Sequence, residues 1–248
     1  MNKISTKNLS LLPNIDGLKN LCKSLSALDA INSPEWDFRY YSYQKDWDKN
    51  EEFFQMRDGS GNEMKALFSA DGCVINGFNK DSQMSNWKEI VIKEDKSFLK
   101  RILGSNKKKT VLKQNINKGV VDSLPIEFHE FIFGEPVKSS GTTFCIWRKI
   151  KDNKWNVGQI EYPNDECLDG SSDLLHIFDR NSVTYKNWAE EYFDDIFENR
   201  TLDTNLVEFI YNHGLITNDI VKKINPNLKD FEQLKFDLNE IGYEHEIV

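Results

Sequence analysis

The side chains able to do chemistry are scattered along this 248-residue chain and do not fall into a spacing that names a reaction. The histidines, His129, His176, His213 and His245, lie far apart, and His129 has a carboxylate, Glu130, beside it. A metal site needs three or four convergent groups, so a metal-dependent hydrolase would use His129 or His176 with nearby carboxylates. The competing account of His129 is a place on a helix face. Asp165, Glu166, Asp169, Gly170, Ser171 and Asp173 make an acidic loop that lacks the alternating ligands and distal Glu of a calcium loop, and helix capping accounts for it better. Cys145 sits in an apolar run, where a thiol is buried and unactivated. Carboxylate pairs occur at Glu51-Glu52, Glu190-Glu191 and Asp194-Asp195, as an acidic composition yields by itself; acid–base work needs one raised pKa in a cleft. Gly59-Ser60-Gly61 precedes a strand pattern and reads as a turn, not as a phosphate cradle on a helix. No phosphate loop, dinucleotide fingerprint, zinc-protease or serine-hydrolase motif occurs. The sequence thus implies no cofactor and no defined metal site, and it leans away from an enzyme.

Composition bounds the classes that remain. The chain carries six Trp, eight Tyr and sixteen Phe with 29% charged residues, too aromatic for a disordered chain and too polar for a membrane protein. No segment approaches the roughly 18 apolar residues of a spanning helix, and the amino terminus lacks a secretory apolar run. Cys22, Cys73, Cys145 and Cys167 stand alone, which fits reduced thiols and a cytoplasmic location. Net charge is −8, and eight Lys or Arg between residues 96 and 121 leave −16 for the rest. An acidic body disfavours nucleic acid and suits a basic partner, or simply solubility. The role of the basic 96–118 segment is not legible, and Lys107–Lys109 reads as a loop tip.

The elements that must position these groups follow from periodicity. Leu18, Leu21, Leu25, Leu28 and Ile31 predict a helix over 16–31 with Asp16 as its cap. Strict alternation from Trp36 predicts a strand with Trp36, Phe38 and Tyr40 in the core, and Asp37, Arg39, Tyr41 and Tyr43 facing outward. Residues 53–57, 63–68 and 73–78 continue an antiparallel meander across glycine turns. Trp87–Ile92 reads as a short strand, Lys96–Leu103 as a helix and Gly104–Thr110 as a loop. A short helix runs from Leu124-Pro125 to Phe133, and 142–150 with 155–162 predict a hairpin. Further helices are expected over 174–178 and 185–196, then over 204–212, 217–224 and 228–241 with no strand signal among them. The expected fold is α+β: a largely antiparallel sheet of about six strands flanked by helices over residues 1–199, with a helical C-terminal appendage over 200–248.

The stretches PEWDFRYYSYQKDW, MRDGSGNE, GFNKDSQMS, TTFCIWR, DGSSDLLHIFD and YKNWAEEYFDD together resemble an uncharacterised family of bacterial proteins, over roughly residues 10 to 195. They identify relatives more than an activity. GSGNEMKALFSADGCVI and SVTYKNWAEEYF are also similar to the glycine-led strand pair and closing helix of the SUKH immunity proteins. That resemblance implies binding and neutralising a protein toxin, not catalysis. The leading expectation is a cytosolic bacterial, immunity-like protein that binds a protein partner through an acidic, aromatic-rich surface. Arg39, Tyr41, Tyr43, Trp47 and Arg57 are the candidate contacts, because aromatics and Arg dominate binding hot spots. No membrane partner is expected.

Overall fold

The computed structural model describes residues 3–85, 87–92, 109–114, 116–164 and 168–248. Leucines at helical spacing form the buried face of α1 (Ile15–Asn32). The cap is Asn14 and not Asp16: its side chain accepts from Gly17 N at 2.8 Å, and the helix begins one residue before Asp16.

The predicted first strand starts late. Trp36–Phe38 is a 3-10 turn, and β1 spans Tyr41–Asp48. The reason is Asp29 of α1, which is fully buried and accepts from Tyr40 N (2.9 Å) and Tyr41 N (2.8 Å) through one carboxylate oxygen. With the strand beginning there, Tyr41 and Tyr43 point into the core. Trp36 and Phe38, expected in the core, are 50% and 64% exposed, and Tyr40 is half-buried. The expected division is therefore reversed for Trp36 and Phe38 and for Arg39, Tyr41 and Tyr43, while Asp37 is exposed as expected.

β2 (Glu51–Arg57), β3 (Glu63–Ser69) and β4 (Gly72–Phe78) continue the antiparallel meander. The Asp58 carboxylate organises the β2–β3 turn by accepting from Ser60, Gly61 and Asn62 N, while Gly59 and Gly61 supply positive φ. β5 (Trp87–Ile92) and β6 (Lys109–Gln114) pair with each other as a separate two-stranded ladder. Lys109 and Thr110, expected in a loop, open β6; the predicted helix Lys96–Leu103 lies outside the described residues. β7 (Phe144–Lys149) joins β4, and β8 (Asn156–Val157), far shorter than the predicted strand, joins β7. The result is a six-stranded antiparallel sheet in the order β1-β2-β3-β4-β7-β8, in an α+β fold.

Alternation along these strands gives the sheet two apolar faces. One carries Tyr41, Tyr43, Phe54, Met56, Phe68, Ile75 and Ile146 and packs on α1. The other carries Phe53, Leu67, Val74, Cys145 and Trp147. It is covered by Phe128 of a 3-10 turn, by Phe131 and Ile132 of α2 (His129–Phe133), and by Val137 of α3 (Val137–Ser140).

Further helices close the first face: α4 (Ser171–Leu174), α5 (Ser182–Tyr192), α6 (Asp194–Phe197), α7 (Thr204–Tyr211), α8 (Asn218–Ile224) and α9 (Phe231–Ile241). The tail is helical as predicted, yet its apolar residues Val207, Ile210, Val221, Leu234, Leu238 and Ile241 share one core with α1. Polar bonds tie it further, with Ser24 Oγ donating to Ile210 O and Asn225 Nδ2 donating to Ile31 O, both at 2.9 Å. It also holds a short parallel pair that its sequence does not signal, β9 (Ile216–Thr217) with β10 (His245–Glu246). Among the described residues no helix is long and apolar enough to cross a membrane.

Burial raises the Asp29 pKa to about 7, against the opposing pull of the Tyr41 and Tyr40 N–H groups, Arg39 and Tyr185. The folded state then holds the proton where the unfolded chain releases it, so the Asp29 contribution to stability is present at low pH and is lost as pH rises from about 4 to 7. Asp29→Asn keeps an acceptor for both N–H groups without the charge. Urea unfolding is expected to show the wild type losing stability relative to this variant by roughly 2–4 kcal/mol between pH 4 and pH 8. Asp29→Ala, which strands both donors, is expected to lower stability at both pH values.

Candidate functional site: an acidic, aromatic cleft at the sheet edge

β1 is the outer strand of the sheet, so whatever lies beside it decides which of its residues a partner can reach. That neighbour is α9, fastened by a buried ion pair between Arg39 and Asp237. Arg39 also donates through Nε to Ser33 O (2.8 Å) and through Nη2 to Pro34 O (3.0 Å), and Asp237 Oδ1 accepts from Gln233 Nε2 (2.9 Å). Arg39 is thereby a latch between the end of α1 and α9.

Tyr41 and Tyr43 are core residues as well. Tyr41 lies parallel to Phe54 at 6.0 Å and edge-on to Trp188 at 4.9 Å. The Tyr43 hydroxyl donates to Glu52 Oε2 at 2.8 Å. Against the upward pull of burial, Lys19, Lys23 and that hydroxyl hold the Glu52 pKa down to about 2. Three of the five predicted contacts are therefore buried and offer a partner little side-chain surface.

The other two stand differently. Trp47 is 41% exposed and stacks on Phe53 with ring centroids 4.4 Å apart. Arg57 is half-buried, its guanidinium 4.1 Å from the centroid of the Trp36 ring. Trp36, Trp47, Gln44, Gln55 and Glu240 line a cleft of about 300 Å³ that Arg39 and Asp237 border. Ser26 of α1 lines it too, its hydroxyl buried and without a hydrogen-bond partner among the described residues.

Trp47 also belongs to a neighbouring cleft of about 330 Å³ lined by the carboxylates of Asp48, Glu51, Glu127, Glu130 and Glu135, by one cation, Lys49, and by Phe131. Glu127 on its rim is neutralised by Lys149 at 2.5 Å, whereas Asp48, Glu51 and Glu130 have no ion-pair partner among the described residues. Partial burial, then Asp48 and Glu130, raise the Glu51 pKa. Unpaired carboxylates crowded beside an exposed indole make a site suited to cations, which both the negative charge and the ring face attract.

The groups proposed for catalysis are engaged elsewhere. His129 Nε2 donates to Leu124 O at 3.1 Å with its ring edge-on to Phe133, and His176 Nδ1 donates to Asp173 O at 2.5 Å. Among the described residues no three His, Cys, Asp or Glu side chains are grouped to hold a metal ion. Asp169 is fully buried and accepts from Ser171 N (2.9 Å) and from Thr6 Oγ1, fixing the turn into α4; Asp165 and Glu166 lie outside the described residues. Burial pushes the Cys145 thiol well above its ordinary pKa.

Sequence reading missed Trp36, Glu130 and Glu240. Trp36 lies in a 3-10 turn where alternation predicts a strand, and the tail carries no mark of where Glu240 docks. One signal was present: Asp237 interrupts the Leu234-Leu238-Ile241 stripe of α9, and a charge on an apolar face calls for a buried partner.

No known protein family matches the chain, and neither does a curated protein or a solved structure.

Breaking the latch isolates its role. Arg39→Met leaves Asp237 buried and unpaired and is expected to cost roughly 3–5 kcal/mol, while Arg39→Met with Asp237→Leu costs much less than the sum of the single changes. Chemical denaturation of the four proteins in the cycle measures the difference.

Proposed function

We propose that this chain is a protein-binding module, immunity-like, that neutralises or regulates a basic protein partner in the bacterial cytoplasm. The observation that carries the reading is Trp47, exposed between two clefts and bordered by the unpaired carboxylates Asp48, Glu51 and Glu130. A partner that inserts an Arg or Lys there gains ring contact and charge at one point and relieves repulsion already present around Glu51. Trp36, under Arg57, supplies a second aromatic anchor across the first cleft. The acidic balance of the chain speeds encounter with a basic surface.

Of the predicted contacts, Trp47 and Arg57 remain contact residues in this reading. Arg39, Tyr41 and Tyr43 act behind them as the support that sets the shape of the cleft. Affinity capture from the native cell, with wild type beside Trp47→Ala and the double charge reversal Glu51→Lys/Glu130→Lys, tests the assignment. Both variants change half-buried or exposed side chains and should retain the thermal stability of the wild type within a few degrees. The expected result is a partner of high isoelectric point whose recovery falls about tenfold or more in each variant and declines with added salt. Equal recovery of the same proteins by all three would remove this surface from the function.

A further inference from the structure

Six stretches stand out in the sequence, and the acidic cleft uses only one of them. The structure brings all six to another place. A third cleft, of about 570 Å³, is lined by residues from PEWDFRYYSYQKDW (Tyr40), MRDGSGNE (Asn62), GFNKDSQMS (Asn79, Asp81, Gln83) and DGSSDLLHIFD (Asp173). The remaining two stretches support it from behind. Thr143 of TTFCIWR accepts from Asn79 N at 3.2 Å and donates to Asp169 O at 2.7 Å. Trp188 and Tyr192 of YKNWAEEYFDD hold the Tyr40 ring edge-on, at 4.9 and 5.1 Å.

The walls are fixed by bonds of their own. Asn62 donates to Asp58 at 2.6 Å and accepts from Lys80 N at 2.9 Å, and Ser82 Oγ donates to Leu168 O at 2.5 Å. Asn79 is only 7% exposed; its Oδ1 accepts from Asp81 N at 3.0 Å, while its Nδ2 makes no hydrogen bond among the described residues. Gly170 makes the room beside that amide: it has φ +81°, and a Cβ there would stand 2.2 Å from Asn79 Cβ and 2.8 Å from Nδ2. The cleft therefore holds one unused donor on a nearly buried side chain, together with the exposed Asp81 and Asp173 carboxylates and the Gln83 amide.

We propose that this cleft binds a neutral polyhydroxylated ligand of mono- or disaccharide size. The choice follows from donor and acceptor counting. Asp81 and Asp173 accept, Asn79 Nδ2 donates and Gln83 does both, so the matching ligand must donate and accept at neighbouring positions, as vicinal hydroxyls do. An ammonium group only donates and would leave Asn79 unanswered. A phosphate or carboxylate ligand would meet two carboxylates, with no Lys or Arg among the described lining residues. Tyr40 and Leu174 supply one apolar wall for the C–H face of a sugar ring.

The experiment is saturation-transfer NMR on the full chain with glucose, galactose, mannose, N-acetylglucosamine, maltose and cellobiose, spermidine and inorganic phosphate serving as competitors. At least one sugar is expected to bind with Kd near or below about 1 mM, and Asp81→Ala/Asp173→Ala, both exposed positions, is expected to weaken it about tenfold or more. Asn79→Asp, which keeps Oδ1 and removes the donor, is expected to weaken it as well, with Tm confirming the fold. Silence across all six sugars, binding unchanged in the double variant, or displacement by spermidine or phosphate would each overturn the proposal. Trp47→Ala is expected to leave sugar binding intact, which separates this site from the protein-binding surface.

Discussion

A single buried carboxylate, Asp29, sets the start of the first strand, and the placement of every aromatic residue from Trp36 to Trp47 depends on it. By taking Tyr40 N and Tyr41 N, it ends the 3-10 turn and begins the sheet at Tyr41. Because strand side chains alternate, a start displaced by one residue would exchange the buried and exposed sets. Arg39 lies near Asp29, where it opposes the rise in pKa, and pairs with Asp237. One guanidinium thus offsets carboxylates on two helices that flank β1.

With that start fixed, the segment from residue 36 to 47 serves several surfaces at once. Trp36 and Trp47 line the edge cleft, Trp47 continues into the acidic cleft, and Tyr40 walls the polar one. Phe38 lines a further hollow of about 270 Å³ with Tyr192, Asp194 and Asp195. Its buried members hold it rigid: Tyr43 is tied to Glu52 and Tyr41 is packed under Trp188. Recognition surfaces gain affinity when side chains are ordered before binding, since less conformational entropy is lost on association.

Local periodicity made most of the architecture legible. The leucine stripe of α1, the glycine turns of the meander and the tail helices each needed only neighbouring residues to declare themselves. What escaped was decided by contacts distant in sequence. The parity of β1 depends on a side chain eleven or twelve residues earlier, and the same aromatic alternation fits either parity. The docking of α9 on β1 depends on a pairing across 198 positions. The site suffered for that reason: its residue types were visible, but Arg39, Tyr41 and Tyr43 turned inward while Glu130 and Glu240 arrived from elsewhere.

The edge strand β1, the exposed Trp47 indole and the unpaired carboxylates beside it form the surface proposed here for a cationic partner. Hydrogen–deuterium exchange on the complex with the captured partner tests it most directly, because amide protection maps the contact without altering a residue. The account predicts protection over residues 44–57, 127–135 and 236–241, with residues 168–195 unchanged. Protection confined to residues 168–195, with the edge of β1 exchanging as in the free protein, would contradict it.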